Sequence, residues 1–564
     1  MSHELRVENL DHLGIVAGLV DELGIVDQVN QHVSEDAREQ VSPGIVVKAM
    51  ILNGLGFVSA PLYLFEDFFA GKPTEHLLGP GILAEHLNDD RLGRVLDLLY
   101  RHGLSELFVL IGMQAVERFG VECRTMHLDA TSFAVAGDYV SPNEVTMTDG
   151  PVPIQITHGY SRDHRPDLKQ FVLNLVCWSD GDIPGFLELA DGNQADTARF
   201  AELMQTFQQQ WHFDGLYVAD AALYSEPNLQ KLSGLHWLTR VPLTVKAAAE
   251  LVRQLPESAL VPTTFEGYRV ATVCNGYGGV RQRWFVVESQ VRKQADLKQL
   301  AETLQRVTAQ TQAELDKLGA QAFACEADAA TALQQFEQRF KWHQLSQKTV
   351  VTKRYYDAPG RPKPETPPKR VTYHGQATLS LNPAVVAQQQ QRAGRFILAT
   401  NILATEDLTA PEALQEYKEQ QGSERGFRFL KDPLFFTSSV FLKSAERIMA
   451  LAMIMGLCLM VYNLGQRQLR QALQQAEQTL PNQLGQGTQT PTLRWIFQCF
   501  MAVHYVVLNG EPQIVNLNGD HQHILEFLGA PCRRYYLQYS GQKSAPHIAC
   551  NVEPSLLEVF KSMS

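Results

Sequence analysis

The sequence predicts an α/β protein whose sheet core is interrupted by an α+β insertion and flanked by helical segments at both ends. Three observations predict it. Short apolar runs of strand type, broken by helical stretches over about 196–210 and from Ser225, recur between about 122 and 244. That rhythm stops over 245–394 and returns with the apolar run Arg395–Asn401. Before 120 and after 400 the apolar spacing is mostly helical. The expected organisation is a helical domain over 1–120, a first core part over 121–244 and an insertion over 245–394. A second core part follows over 395–480, then a linker and C-terminal segment over 481–564.

In the first region, Leu10, Leu13, Ile15, Val16, Leu19 and Val20 form a helical stripe. Ser42-Pro43 is a helix start, and so is Asn88 ahead of Leu92, Val95, Leu96 and Leu99. Several short helices suit a DNA reader of helix-turn-helix type, and equally a plain bundle. In the core, Arg124–Leu128 reads as a strand ending at Asp129, with Ser132–Ala136 as its hairpin partner. Phe171–Trp178 and Gly185–Ala190 are further strands, followed by a helix over about 196–210. Leu216-Tyr217-Val218-Ala219 is a short strand ending at Asp220, and His236–Val241 is the next. In the insertion, Tyr268–Val273 and Arg283–Val287 flank Asn275-Gly276-Tyr277-Gly278-Gly279 as a β-hairpin, and 291–340 reads as a helical hairpin. Between Arg339 and Arg370 nine Lys/Arg face two acids, an excess of +7. Pro362, Pro364, Pro367 and Pro368 there predict an irregular loop, and with Tyr355 and Tyr356 a nucleic-acid contact or a solvated loop. A helix is expected from near Pro411 to Lys431, then an apolar helix from Ser444 and a Gln-rich one.

Composition bounds the function. The chain has 564 residues, 45% hydrophobic and 20% charged, which excludes a disordered or collagen-like protein. With 49 Lys and Arg against 61 Asp and Glu the net charge is −12, which disfavours coating nucleic acid by bulk charge but leaves room for local basic surfaces. The eight cysteines are scattered without a C-x-x-C pair, arguing against structural zinc and against a secreted disulfide framework. Met1-Ser2-His3-Glu4 leads into an amphipathic segment without a signal-peptide core. The longest apolar run, Ile448–Tyr462, is shorter than the ~20 residues of a membrane span. The expectation is a cytoplasmic chain with no membrane partner.

Three acids occupy chemically useful places: Asp129 and Asp220 at strand ends, and Glu424 in the helix that follows the sheet. Such carboxylates can hold two Mg²⁺ ions, with Mn²⁺ as a substitute, for in-line phosphoryl displacement. Each alone also suits a turn or capping residue. Tyr417, Gln420, Glu424 and Lys431, spaced 3, 4 and 7, fall within an arc of about 60° on one helix face. Arg428 lies just beyond that face, and Arg240 ends the strand after Asp220.

With these residues in place, the sequence resembles bacterial insertion-sequence DDE transposases bearing a Y-x₂-R-x₃-E-x₆-K signature, relatives of the Tn-five and Tn-ten enzymes. Tyr417, Glu424 and Lys431 match in identity and spacing, and Gln420 stands where arginine is expected. Within that branch it resembles the insertion-sequence group sixteen-thirty-four. The blocks that carry this are Asn88–Asp97, Gly159–Gln170 and Phe323–Ala329. The resemblance implies an RNase H-like core split between the second Asp and the Glu. It implies that Asp129, Asp220 and Glu424 bind the metals, and that Tyr417, Gln420, Lys431 and Arg428 lie toward DNA phosphates. Arg240, Arg165 and Lys169 are further expected DNA contacts, the last two as alternatives to a polar hairpin. The expected activity is cut-and-paste transposition: binding terminal inverted repeats of double-stranded DNA, pairing ends as a homodimer, hydrolysing to a 3′-hydroxyl and joining it to target DNA. A non-catalytic DNA-binding regulator and an RNase H-like nuclease without strand transfer are the alternatives.

Overall fold

A computed structural model describes residues 5–33, 39–57, 64–135, 139, 152–161, 165–194, 196–211, 213–357, 366–432, 442 and 444–537; within these, the side chains of 196–199, 206, 209–211, 421, 423 and 424 are left out. The chain divides into two compact units, one of 1–238 with 415–564 and one of 239–414.

The first unit opens with β1 (Leu5–Asn9), then α1 (Leu13–Leu23), α2 (Ile25–His32), α3 (Pro43–Gly54), α4 (Phe65–Phe69), α5 (Thr74–Leu78), α6 (Asp89–His102) and α7 (Leu104–Phe119). The expected starts hold locally. Ser42 Oγ accepts from Ile45 N ahead of Pro43, and Asn88 Oδ1 accepts from Arg91 N at 3.0 Å. Next come β2 (Thr125–Val135), β3 (Lys169–Trp178), β4 (Ile183–Ala190), α8 (Asp196–Trp211), β5 (Leu216–Ala219), α9 (Glu226–Lys231) and β6 (His236–Val241), where the division falls.

The strands of this unit lie in the order β4-β3-β2-β5-β6. β3 is antiparallel to β2 and to β4, whereas β5 is parallel to β2. The two-strand hairpin expected over 124–136 is instead one continuous strand. Asp129-Ala130-Thr131-Ser132 contains no glycine or proline to turn the chain, and Thr131, Phe133 and Val135 extend the β-favouring alternation. The partner of 126–135 is β3. β5 is buried at every residue, as the run Leu-Tyr-Val-Ala requires of a parallel strand covered on both faces.

The second unit holds α10 (Lys246–Gln254), β7 (Val261–Pro262), β8 (Tyr268–Tyr277), β9 (Val280–Ser289), α11 (Gln290–Ala320), α12 (Glu326–Arg339), β10 (His343–Tyr355), β11 (Arg370–Leu381), α13 (Pro383–Arg392) and β12 (Arg395–Thr400). Its strands run β12-β9-β8-β7, with β10-β11 a sheet of their own. The run at 395 pairs antiparallel with β9 and is grouped with it. Of the stretch 339–370 expected to be irregular, 343–355 is the regular strand β10, and 358–365 lie outside the described residues. Pro367 and Pro368 precede β11 and stay out of the β10–β11 ladder, and Pro362 and Pro364 lie outside the described residues.

The chain returns to the first unit through α14 (Ala410–Glu419), α15 (Gln421–Leu430) and the 31-residue α16 (Ala445–Gln475). There follow β13 (Leu480–Pro481), β14 (Gly487–Thr488), α17 (Leu493–Cys499), β15 (His504–Leu508), β16 (Glu511–Val515), α18 (Gly519–Leu528) and α19 (Ala530–Tyr535). An apolar stretch within α16 is long enough to cross a membrane by composition, yet 89% of it is buried inside the protein, so it is a core helix. Gly456 makes this possible: a Cβ there would lie 2.6 Å from Leu187 Cδ1 and 2.9 Å from Phe108 Cε2. Arg447 clamps Asp97 with two 2.8 Å bonds, and Arg467 bonds Asp180 and the carbonyls of Phe119 and Gly120.

The C-terminal segment folds back onto the N-terminal helices. β1 pairs antiparallel with β15, α19 packs on α1 with the Cys532 backbone against Gly18, and buried Lys48 bonds both Asp21 and Tyr535. The described residues of 5–120 therefore share a core with 493–537 and are not closed by themselves.

His12 sits inside that core, stacked on Phe497 at 4.4 Å with Nε2 2.8 Å from the Leu55 carbonyl oxygen. Burial pushes its pKa down to about 4. The folded state keeps it neutral while the unfolded chain takes up a proton near 6.5, so its contribution is present above 6.5 and is lost as pH falls toward 4. Stability should fall across that window by up to ~3 kcal/mol from this imidazole. Urea unfolding at pH 7 and pH 4.5 checks this: His12→Phe should lower stability at pH 7 and flatten the decline.

Candidate active site

The site begins with a register. β2 and β5 pair in parallel as Thr125↔Leu216, Met126↔Tyr217, His127↔Val218 and Leu128↔Ala219. The next step sets Asp129 opposite Asp220, which keeps extended backbone at φ −71°, ψ −176°. Facing residues of paired strands project to the same side of the sheet about 4.8 Å apart, so a ladder continued by one step would point both carboxylates to one face. Asp129 lies in the middle of β2 but at the end of its pairing with β5, where the sheet opens. It is 8% exposed, and its Oδ1 accepts from Ala130 N at 2.8 Å. Asp220 caps the short 3-10 turn Ala221–Leu223, its Oδ1 accepting from Ala222 N at 2.8 Å.

The helices after the insertion cover this face of β2. The helix expected as one piece is two, α14 and α15, joined at Gln420 in helical conformation at φ −53°, ψ −25°. Gln420 Nε2 donates to the Leu128 carbonyl at 3.4 Å, and Lys431 Nζ lies 5.4 Å from the centre of the Phe133 ring. Eleven helical residues span roughly 16 Å, as do five strand residues, so α15 runs along β2 from Leu128 to Phe133. Glu424 is one helical turn past Gln420, which places its backbone beside the stretch that starts at Asp129. The side chain of Glu424 is outside the described residues.

Two contacts fix the start of α15. A Cβ at Gly422 would overlap the Asp182 carboxylate, and Arg425 pairs with Asp182 at 3.6 Å. Burial pushes Asp182 up to about 6 against the pull of Arg425. Beneath the helix, His127 is fully buried and burial pushes its pKa down to about 4, so it is neutral filling at neutral pH. Neither Asp182 nor His127 stands out in the sequence. The positive φ of 57° at Asp182, in the turn Ser179-Asp180-Gly181-Asp182, is the local sign of a position held by its surroundings.

The remaining expected residues are distributed as follows. Gln420 is 7% exposed and turned toward β2, so its amide positions the helix and is not presented on an open face. Tyr417 and Lys431 are half-buried and Arg428 is exposed. Lys169 pairs in register with Val135, about 20 Å along the strand from Asp129, and donates to the Tyr139 carbonyl at 2.8 Å. Arg165 is held by Asp167 on its own loop at 2.7 Å. Arg240 belongs to the second unit, its guanidinium 5.6 Å over the Phe396 ring. The register points Asp129 and Asp220 toward the α15 backbone and sets Lys431 and Lys169 further along β2, while Arg165 stays on its own loop.

Among the described residues no three His, Cys, Asp or Glu side chains form a metal-holding group. The Asp129–Asp220 pair offers only oxygen donors, a set that fits a hard divalent cation and not a soft one.

Enzymes that cut and join DNA are the class this chain falls in. Residues 125–464, starting at the first residue of β2, match the family described as Transposase DDE domain, and residues 5–113 match a domain of unknown function (DUF4277). The first match spans more than half of the sequence: the chain belongs to the Transposase DDE domain family and is a transposase. No curated protein matches it. Among solved structures, the cryo-EM structure of piggyBac transposase synaptic complex with hairpin DNA is similar at a TM-score of 0.34 and 10% identity, covering 80% of this chain and 73% of that one.

Two substitutions test the seating of α15. Gln420→Arg should cost about 1–3 kcal/mol of stability by burying a guanidinium, and leave the salt dependence of DNA binding unchanged. A steeper salt slope with unaltered melting would show that position 420 faces DNA. Gly422→Ala should lower melting temperature and cleavage together, and Asp182→Gly should restore part of both by clearing the space.

Proposed function

We propose that the chain is the transposase of a bacterial insertion sequence, with Asp129, Asp220 and Glu424 as its catalytic carboxylates in an RNase H-like core. The observation that carries this reading is the parallel register that seats Asp129 beside Asp220 under the helix of Glu424. The order β4-β3-β2-β5-β6, with an antiparallel β4-β3-β2 half and β5 parallel to β2, supports the RNase H-like assignment. The second unit, lying between Asp220 and Glu424 in sequence, is then the insertion.

In this reading Asp129, Asp220 and Glu424 would hold two Mg²⁺ ions, with Mn²⁺ as a substitute; bound there, such ions activate the attacking oxygen and stabilise the leaving one. The chain supplies position. The β2–β5 ladder fixes two carboxylates, Gln420 and Gly422 fix the third carboxylate's helix, and buried neutral His127 adds no competing charge. Tyr417, Arg428 and Lys431 on α14 and α15 would line the DNA path, with Lys169 and Arg165 beyond them and Arg240 from the second unit. The substrate is double-stranded DNA bearing terminal inverted repeats, bound by a homodimer in the cytoplasm, cut to a 3′-hydroxyl and joined to target DNA. Because residues 1–120 share a core with 493–537, end recognition belongs to that combined domain.

A supercoiled plasmid carrying the gene and its flanking DNA is the test substrate. Wild type should cleave it with Mg²⁺ or Mn²⁺. Asp129→Asn, Asp220→Asn and Glu424→Gln should each lose at least about a hundredfold in cleavage rate, several kcal/mol of transition-state stabilisation, and still bind the flanks. Full cleavage by any variant removes that residue from the site. Binding by wild type without cleavage under every metal supports the regulator instead.

A further inference from the structure

The β10–β11 ribbon is unlike the rest of the molecule. At its base it is packed: Leu345, Ala377 and Leu379 meet Leu315, Leu333 and Phe336 of α11 and α12. Between Ser346 and Thr349 the register shifts, with Gln347 at φ 51°, and beyond this bulge the exposed residues are mostly polar or charged. The last rungs are Lys353↔Thr372, Arg354↔Val371 and Tyr355↔Arg370. Strand alternation sets Lys353, Tyr355 and Arg370 on one side and Arg354 on the other. All four are exposed, Tyr355 at 48%.

The basic residues nearer the base are engaged within the unit, since Arg339 pairs with Glu314 and Lys348 with Glu337. Lys369 pairs with Asp357 at 2.6 Å. Among the described residues, Lys353, Arg354 and Arg370 have no ion pair and no side-chain hydrogen bond. Charged side chains on a free ribbon also guard its edges against aggregation, but acids serve that purpose equally and predominate in this chain of net charge −12. Three cations left unpaired on one ribbon call for an anionic partner. A two-stranded ribbon fits the roughly 12 Å major groove of B-DNA, and exposed tyrosine hydroxyls donate to phosphate oxygens.

We propose that the outer half of the β10–β11 ribbon is a DNA-gripping arm, separate from the carboxylate site, that holds duplex backbone through Lys353, Arg354, Tyr355 and Arg370. The inference rests on the chain acting on DNA and adds a surface that the catalytic reading does not use.

The test is a salt titration of full-length protein on a random-sequence duplex. The triple variant Lys353→Ala, Arg354→Ala, Arg370→Ala should bind more weakly and lower the slope of log affinity against log salt by about 0.9 for each phosphate no longer neutralised, up to about 2.7. A charge-matched variant removing exposed Lys298, Arg306 and Lys317 from α11 should change the slope far less. Equal slopes for the ribbon triple and wild type, or equal reductions in both triples, overturn the proposal. Plasmid cleavage is read separately. If wild type cleaves while the ribbon triple keeps its slope, the arm fails and the catalytic reading stands. If wild type never cleaves while the ribbon triple has a reduced slope, the catalytic reading fails and the arm stands.

Discussion

The parallel pairing of β2 with β5 is the constraint on which the rest of the site depends. Four rungs run from Thr125↔Leu216 to Leu128↔Ala219, and the next residue of each segment is an aspartate. A slip of one residue in either strand would send one carboxylate to the opposite face of the sheet. The register is protected by burial on both sides: β5 is buried at each residue, and β2 from Thr125 to Ser132. Two like charges close together are unfavourable unless something positive offsets them, and in the proposed reading bound divalent cations would do so.

The surrounding helices keep that pair covered on one side and open at the end. α15 is held to β2 by the Gln420 bond to Leu128, with Lys431 over the Phe133 ring, and to the turn before β4 by Gly422 and Arg425 against Asp182. These seat a helix turn beside a strand with few alternatives, because a larger residue at 422 has no room. α16 ties the same sheet to the N-terminal helices, with Gly456 against Leu187 and Phe108, Arg447 on Asp97 and Arg467 on Asp180. Removing the C-terminal segment would open the N-terminal core as well, since β15 and α19 complete it.

Much of this is legible in the sequence, and the rest is hidden for physical reasons. Strands 171–178, 216–219 and 236–241 announce themselves by dense apolar runs, and Ser42 and Asn88 by capping chemistry. Asp129 and Asp220 are visible as acids ending such runs, but their adjacency is a matter of strand order, which no local pattern carries. Asp129 looks like a strand end because an acid normally stops a buried run; here β2 continues past it and only the pairing with β5 stops. Gln420 shows the limit of a helical wheel: an arc shared with Tyr417 and Lys431 does not say which part of it meets solvent, and Gln420 is turned toward β2. The β1–β15 pairing joins residues about 500 apart, beyond any local signal. The prolines after 360 predict irregular chain, a signal that does not show the regular strand 343–355 ahead of them.

The most direct measurement is anomalous X-ray diffraction from crystals of the protein grown with Mn²⁺. The account predicts a manganese peak within about 2.0–2.6 Å of oxygens from both Asp129 and Asp220, the range expected for hard divalent cations on carboxylates. In Asp220→Asn crystals the peak should be weakened or lost. A wild-type map with manganese elsewhere, or bound to one of the two aspartates alone, would contradict the central claim that the β2–β5 register builds the catalytic site.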